Sequence, residues 1–262
     1  MTLNENIINK LAEYLENAEL ECNAVVKITD EYPDMDWDDA YAIQKTIRQR
    51  KLNRGNKVAG LKMGLTSFAK MKQMGVETPI SGFITDYGSY PDGAEIDISK
   101  FIHPKVEAEI AVVTKTRLKG PGCHIGSVMA AIDFVLPAVE IIDSRYENFR
   151  FDLKSVIADN TSSAGYVTGG KICPPEDINM RSTGVVMEKN GQVVEVGAGA
   201  AVIGHPASSV AMLANMLSER GEDIPAGTFI MTGGITAAVT VEAGDNIMVR
   251  YQDLGTVSMR FV

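Results

Sequence analysis

The run His103-Pro104-Lys105-Val106-Glu107-Ala108-Glu109-Ile110-Ala111-Val112-Val113 places two acids inside an otherwise apolar stretch. Val106, Ala108, Ile110 and Val112 alternate with other residues, and β-branched side chains are frequent, so a strand is expected. Side chains repeat with period two along a strand, which puts Glu107 and Glu109 on one face. Adjacent carboxylates repel unless something positive lies between them. A third acid, Glu140, sits in another apolar run, Phe134-Val135-Leu136-Pro137-Ala138-Val139-Glu140-Ile141-Ile142. If the two strands lie side by side, the three oxygen donors suit a divalent cation, Mg²⁺ or Mn²⁺. The alternative makes them rim carboxylates on a solvated sheet face. The apolar flanks and the third acid favour the metal.

Lys57 to Ser67 reads as a short strand opening into a loop with glycines at 60 and 64 on either side of Lys62. Such glycines let backbone approach a ligand closely. The spacing is not that of a Walker loop. Lys62 is therefore either a site cation or an ordinary surface charge. Two more loops stand out: Ala158-Asp159-Asn160-Thr161-Ser162-Ser163, and Met231-Thr232-Gly233-Gly234-Ile235-Thr236. Each is compatible with turn chemistry alone. Together they offer hydroxyls and backbone amides able to hold a carboxylate.

These groups need a scaffold. Residues 1 to about 75 read as mainly helical. Leu3, Ile7, Ile8, Leu11, Leu15 and Ala18 recur at helical spacing, and Asp36 is the expected N-cap of a second helix whose buried stripe is Ala40, Ile43 and Ile47. A short helix ending at Gly75 is expected to turn Phe68, Met71 and Met74 inward. From about 80 onward the chain reads as β, interrupted by helices from Ile125 to Ile132 and from Pro206 to Gly221, with a type I′ hairpin at Asn190-Gly191. The expected fold is α+β, a mixed β-sandwich or roll with an N-terminal helical part. The division falls into residues 1–75, a helical part packed on the core, and 76–262, a β-rich catalytic core; the two also count as one domain.

Composition narrows the class. The chain has 262 residues and a formal net charge of −9. That balance argues against nucleic acid or an anionic membrane as partner, since both need clustered Lys and Arg. Cys22, Cys123 and Cys173 make no metal pattern, and their odd number points to a reducing, cytoplasmic setting. No basic-then-apolar signal opens the chain, and no run is expected to span a bilayer.

Lys62-Met63-Gly64-Leu65-Thr66-Ser67, His103 to Glu109, Val139-Glu140-Ile141-Ile142-Asp143-Ser144-Arg145 and Thr232-Gly233-Gly234 resemble the 4-oxalocrotonate (2-oxo-3-hexenedioate) decarboxylase family. That family belongs to the hydratase/decarboxylase branch of the fumarylacetoacetate hydrolase superfamily. The likeness runs over nearly the whole chain. It implies a mixed β-roll and a Mg²⁺ held by Glu107, Glu109 and Glu140. It also implies that Lys62, Asp159 and Ser162 serve the substrate pocket, with Ser163 as the alternative to Ser162. Leu65, Thr232 and Gly233 lie in the matching segments and are expected to bind substrate.

The implied reaction is decarboxylation of an oxo-dicarboxylate, 2-oxohex-3-enedioate, in meta-cleavage degradation of aromatic compounds. The sister family, 2-hydroxypenta-2,4-dienoate hydratase, shares the glutamates and the lysine loop. The stretch Ala69-Lys70-Met71, Gln73-Met74-Gly75-Val76 and Pro79 to Phe83 resembles the decarboxylases instead, as do His103-Pro104-Lys105 and Tyr146-Glu147-Asn148-Phe149. Hydrolases of the superfamily rely on a histidine, and His103, His124 and His205 form no evident dyad. His205 reads equally as a helix cap or a ligand, and Arg145 as the partner of a supporting acid. The family further implies a homo-oligomer and a complex with the hydratase. A non-enzymatic reading also remains, in which the three glutamates hold a cation that only fixes strands. Substrate-dependent release of carbon dioxide separates it from the others.

Overall fold

The computed structural model describes residues 1–68, 71–72 and 75–262. Helix α1 (Glu5–Leu20) starts where Asn4 Oδ1 accepts from the Ile7 amide. Helix α2 (Trp37–Asn53) starts at a reciprocal capping box between Asp36 and Asp39. Ile8, Leu11 and Leu15 of α1 and Ala40, Ile43 and Ile47 of α2 are buried together in one cluster. The same cluster takes in Ile80, Phe83, Tyr146 and Ile157. The helical layer thus closes over one end of the sheet.

The sheet begins with β1 (Val58–Gly64) and β2 (Ile80–Thr85), followed by the short strands β3 (Ser89–Pro91) and β4 (Ala94–Ile96). Strand β5 (Lys105–Thr114) leads through helix α3 (Ile125–Ala131) into β6 (Ile132–Ile142). Helix α4 (Leu153–Ala158) and β7 (Ser163–Thr168) come next, then β8 (Gly184–Lys189) and β9 (Gln192–Ala198). Helix α5 (Pro206–Glu219) precedes β10 (Phe229–Gly234), β11 (Val239–Thr240), β12 (Asn246–Tyr251) and β13 (Gly255–Phe261). Among the described residues the large sheet runs β2-β1-β10-β5-β6-β7-β3, with β11 beside β5, and the smaller one runs β4-β13-β12-β8-β9. The expected mixed α+β sandwich is what forms. Asn190 and Gly191 join β8 to β9 with φ of 54° and 76°, as a type I′ turn requires.

Strand β5 is fully buried on one face and partly buried on the other, with a different role for each. Val106, Ala108, Ile110 and Val112 point into the core shared with Val185, Val249 and Met259 of the smaller sheet. Lys105, Glu107 and Glu109 occupy the opposite face. Across the ladder, Val139 and Ile141 of β6 share the core, while Glu140 stands on the face of the other acids. A binary pattern two residues long therefore separates packing from chemistry.

Three expectations change. Strand β1 lies before residue 75 yet pairs with β2 and β10 inside the large sheet, so the helical layer ends at Asn53. The β1–β10 pairing is close: a Cβ on Gly60 would meet the Phe229 carbonyl oxygen at 2.3 Å, so this glycine serves strand pairing and not ligand approach. Phe68, expected inside, is 63% exposed, whereas Met71 is buried; Met74 lies outside the described residues. Residues Gly199–Glu219, with a mean hydropathy of 1.3, are long and apolar enough to cross a membrane, contrary to the sequence reading. Here they end in α5, whose Val210, Leu213, Ala214 and Leu217 pack in the core.

Asp39 ties the N-terminus to this layer. It accepts from the amides of Thr2, Leu3 and Asp36 and from the Thr2 hydroxyl. Burial opposes its charge, but these donors hold its carboxyl down at about 2. A carboxylate depressed on folding contributes stability above its unfolded value, about 3.9, and loses it as pH falls through the folded one. Asp39→Asn is expected to cost about 1–2 kcal/mol at neutral pH. Urea unfolding repeated between about pH 4 and pH 2 should show that deficit closing; a deficit independent of pH would contradict the assignment.

Candidate metal centre and active site

Strand register brings the acids together. Glu107 and Glu140 are direct partners across the antiparallel β5–β6 ladder, and Glu109 follows two residues on. One carboxylate oxygen from each lies within 4.8 Å of the others. Small neighbours make room: Glu109 faces Ala138 on one side and Gly234 on the other. A Cβ on Gly234 would approach Glu107 Oε2 to 2.4 Å. Gly233, at φ 114°, points its amide at Glu109 Oε2, 2.7 Å away. The second oxygen of Glu109 is buried without a hydrogen-bond partner.

Lys62 Nζ, itself buried, lies 3.0 Å from Glu140 Oε1 and donates to the Thr161 carbonyl at 3.1 Å. Lys62 pairs directly with one of the three carboxylates, Glu140. Burial first, then the neighbouring acids, push the Glu109 carboxyl well above its ordinary range, with Lys62 pulling the other way. Burial likewise raises Glu140 against Lys62. An unpartnered buried oxygen and a crowded all-oxygen donor set fit a hard divalent cation, with coordination positions to spare for a ligand. The residues present fit the metal.

Thr161 belongs to an unusual turn. Asn160, Thr161 and Ser162 take φ of 48°, 55° and 58°, three successive left-handed residues without a glycine. Each costs roughly 1–2 kcal/mol, so the surroundings must impose the turn. Asn160 does this by pairing its amide with both backbone groups of Phe83, at 2.9 Å each. Arg145 does it by grasping the Asp159 carboxylate and the carbonyls of Asp143 and Asp159. Burial works against the Arg145 charge, yet the Asp159 carboxylate and its acidic neighbours keep the guanidinium protonated beyond its ordinary value. The turn leaves Ser162 Oγ buried and without a partner.

A cavity of about 280 Å³ opens beside these groups. Lys62, Lys105, Glu107, Thr161 and Ser162 give it polar atoms, and Leu65, Ile80, Ile142, Phe149, Phe151 and Val156 give it apolar walls. Of the residues expected from sequence, Lys62, Leu65, Ser162 and Glu107 line it, with Glu109 and Glu140 packed at its base. Asp159, Thr232 and Gly233 do not line it. Asp159 is engaged by Arg145, the Thr232 hydroxyl donates to the Ile110 carbonyl at 2.7 Å, and Gly233 orients Glu109. Lys105 and Phe149 entered the sequence reading only as parts of decarboxylase-like segments, without a site role, and Phe151 did not enter it. Lys105 also carried a legible signal of its own, since it shares strand parity with Glu107 and Glu109. His124 and His205 cap helices α3 and α5.

This fold with a carboxylate triad at the mouth of a mixed sheet defines a class. The fumarylacetoacetate hydrolase C-terminal family model matches residues 46–262, and the chain belongs to that family, in its hydratase/decarboxylase branch. It is 68% identical over 261 residues to the 4-oxalocrotonate decarboxylase of Pseudomonas putida, covering 100% of this chain and 99% of that protein. The solved structure of 4-oxalocrotonate decarboxylase from Pseudomonas putida G7, complexed with magnesium and adipate, superposes with a TM-score of 0.99 at 65% identity, covering 100% of this chain and 99% of that one. The 2-oxo-hept-4-ene-1,7-dioate hydratase of Escherichia coli is 34% identical over 258 residues, covering 96% of this chain and 97% of that protein.

Two substitutions test the centre by calorimetry. Glu107→Gln removes a donor and should weaken Mg²⁺ binding without unfolding the chain. Gly234→Ala leaves every donor in place but displaces the Glu107 carboxylate, and should cost about 10–100-fold in affinity, as loss of outer support does. Unchanged affinity in both would remove the metal from this site.

Proposed function

We propose that the chain is a Mg²⁺-dependent 4-oxalocrotonate decarboxylase, converting 2-oxohex-3-enedioate to 2-hydroxypenta-2,4-dienoate and carbon dioxide. The observation that carries this is the buried Lys62–Glu140 pair beside Glu107 and Glu109 at the base of an apolar cavity. The far higher identity to decarboxylases than to hydratases supports it. The segment around residues 69–83 also bears on that choice, but Ala69, Lys70, Gln73 and Met74 lie outside the described residues.

Glu107, Glu109 and Glu140 hold the cation. Bound there, it supplies Lewis-acid polarisation of a 2-oxo acid. The chain's own groups do the rest. As the C5–C6 bond breaks, its electron pair moves through C4 and C3 to the C2 oxygen, and that oxygen takes the proton that completes the dienol. Lys62 donates to the same oxygen, and its hydrogen bond strengthens as charge grows there. Ser162 offers its free hydroxyl and Leu65 its side chain to the bound acid. Asp159 acts at one remove, holding Arg145 and through it the 160–162 turn. Thr232 and Gly233 support the substrate site from behind, through β10 and Glu109.

Product release yields a reactive dienol, so a 2-hydroxypenta-2,4-dienoate hydratase bound alongside would receive it before solvent does. We also place the chain in a homo-oligomer and in the cytoplasm; the three cysteines are free thiols, two of them buried. Neither nucleic acid nor membrane enters this reading.

With 2-oxohex-3-enedioate and Mg²⁺, NMR should show the dienol and carbon dioxide; water added to the dienoate with no carbon dioxide released would make the chain a hydratase. Lys62→Met should lower kcat about a hundredfold or more, comparable to loss of one oxyanion donor, with little change in Mg²⁺ affinity. A rise in KM alone would recast Lys62 as a carboxylate anchor.

A further inference from the structure

Lys105 is the first residue of β5 and stands one strand step outward from Glu107, on the same face. It lines the cavity with Lys62 and Glu107. Its Nζ rests 4.1 Å from the centroid of the Phe149 ring. It forms no ion pair among the described residues. Phe149 is fixed in place: its φ is 58°, that of Asn148 is 56°, and its ring packs on His103 and Phe151 at 5.1 and 5.9 Å. An ammonium in a cavity with apolar walls, parked on an aromatic face, is a cation waiting for an anion.

The position of Lys105 says which anion. Glu107, Glu109, Glu140 and the Lys62–Glu140 pair mark the metal end of the cavity. A monocarboxylate 2-oxo acid would add one negative charge at the metal end, and a dicarboxylate a second at the far end. Among the described lining residues, Lys62 is paired with Glu140, and Lys105 is the cation available to meet that second charge. We infer that Lys105 reads the distal carboxylate of the substrate and so sets the preference for dicarboxylic over monocarboxylic 2-oxo acids. This rests on the reading of the cavity as a 2-oxo acid site.

The role is opposite in kind to that of Lys62. The distal carboxylate is the group that leaves as neutral carbon dioxide, so a cation bound to it stabilises the ground state more than the transition state. Lys105 therefore supplies binding and selectivity, and no acceleration. The Phe149 ring explains how a lysine is tolerated there. When the anion is lost, the ammonium returns to the π face and is not stranded in an apolar cavity.

The test uses two non-reactive ligands, 2-oxoadipate and 2-oxopentanoate, titrated calorimetrically into the protein with saturating Mg²⁺. Both carry the 2-oxo acid head, and only the first has a distal carboxylate. The unaltered protein should prefer 2-oxoadipate. Lys105→Met should weaken 2-oxoadipate at least about tenfold, the scale of one charged hydrogen bond, and leave 2-oxopentanoate where it was. Lys105→Arg should recover part of the preference, and Lys105→Gln serves if the Met variant folds poorly. In turnover the loss should fall on KM, whereas Lys62→Met falls on kcat. Equal weakening of both ligands would make Lys105 a prop for Phe149 and overturn the proposal, as would no change in either. A dicarboxylate preference that depends on Lys105 in a chain releasing no carbon dioxide would leave this inference standing and remove only the proposed reaction.

Discussion

Glu107 and Glu140 face one another across an antiparallel ladder, with Glu109 beside them; Glu109 and Glu140 are buried and Glu107 half-buried. Like charges placed directly opposite destabilise a sheet, and burial makes each charge costlier still. Much else in the molecule answers this conflict. Ala138 and Gly234 keep the neighbouring strands small where the carboxylates crowd, and Gly233 turns an amide toward Glu109. Lys62 brings a compensating charge to Glu140 from β1, three strands away across β10 and β5. Three carboxylate donors converging on one point suit a hard divalent cation.

The support for Lys62 comes from elsewhere in the chain. Its second contact is the Thr161 carbonyl, presented by a left-handed turn that isolated chain would avoid. The turn is fixed by Asn160 on β2 and by the Arg145–Asp159 pair, itself buried and therefore dependent on both partners remaining. The N-terminal helices, packed against Phe83, Tyr146 and Ile157, cover the same region from outside. Sheet, turn and helical layer thus meet around one ammonium, although they are far apart in sequence.

What could be read in advance follows from the range of each interaction. The acids were legible because strand parity is local: two residues separate Glu107 from Glu109, and that alone fixes their face. Capping at Asp36 and the turn at Asn190-Gly191 are local too. Gly60 was misread because its neighbour, the Phe229 carbonyl, is 169 positions away by numbering and invisible without the β1–β10 pairing. Asp159 and Thr232 looked like site residues by type, but their partners, Arg145 and the Ile110 carbonyl, are set by tertiary register. Lys105 is the instructive case. The parity that groups the glutamates places Lys105 on their face as well, while the Phe149 ring it rests on comes from a loop 44 positions away.

On the reading proposed above, the two lysines divide labour across one face of the sheet. Lys62 is held by a carboxylate and a carbonyl, so it is already oriented and needs little reorganisation to meet charge growing on a nearby oxygen. Lys105 rests, among the described residues, against an aromatic face, which lets its long side chain move between ring and anion. Rigid placement suits transition-state stabilisation, and loose placement suits recognition of a group that will lose its charge. Exchanging these environments would be counterproductive at both ends. A rigid cation on the leaving carboxylate would hold it back, and a mobile one at the C2 oxygen would arrive with the cost of ordering still to meet. The difference in tether, more than the identity of the two side chains, is what fits this cavity to a reaction that moves negative charge from one end of its substrate to the other.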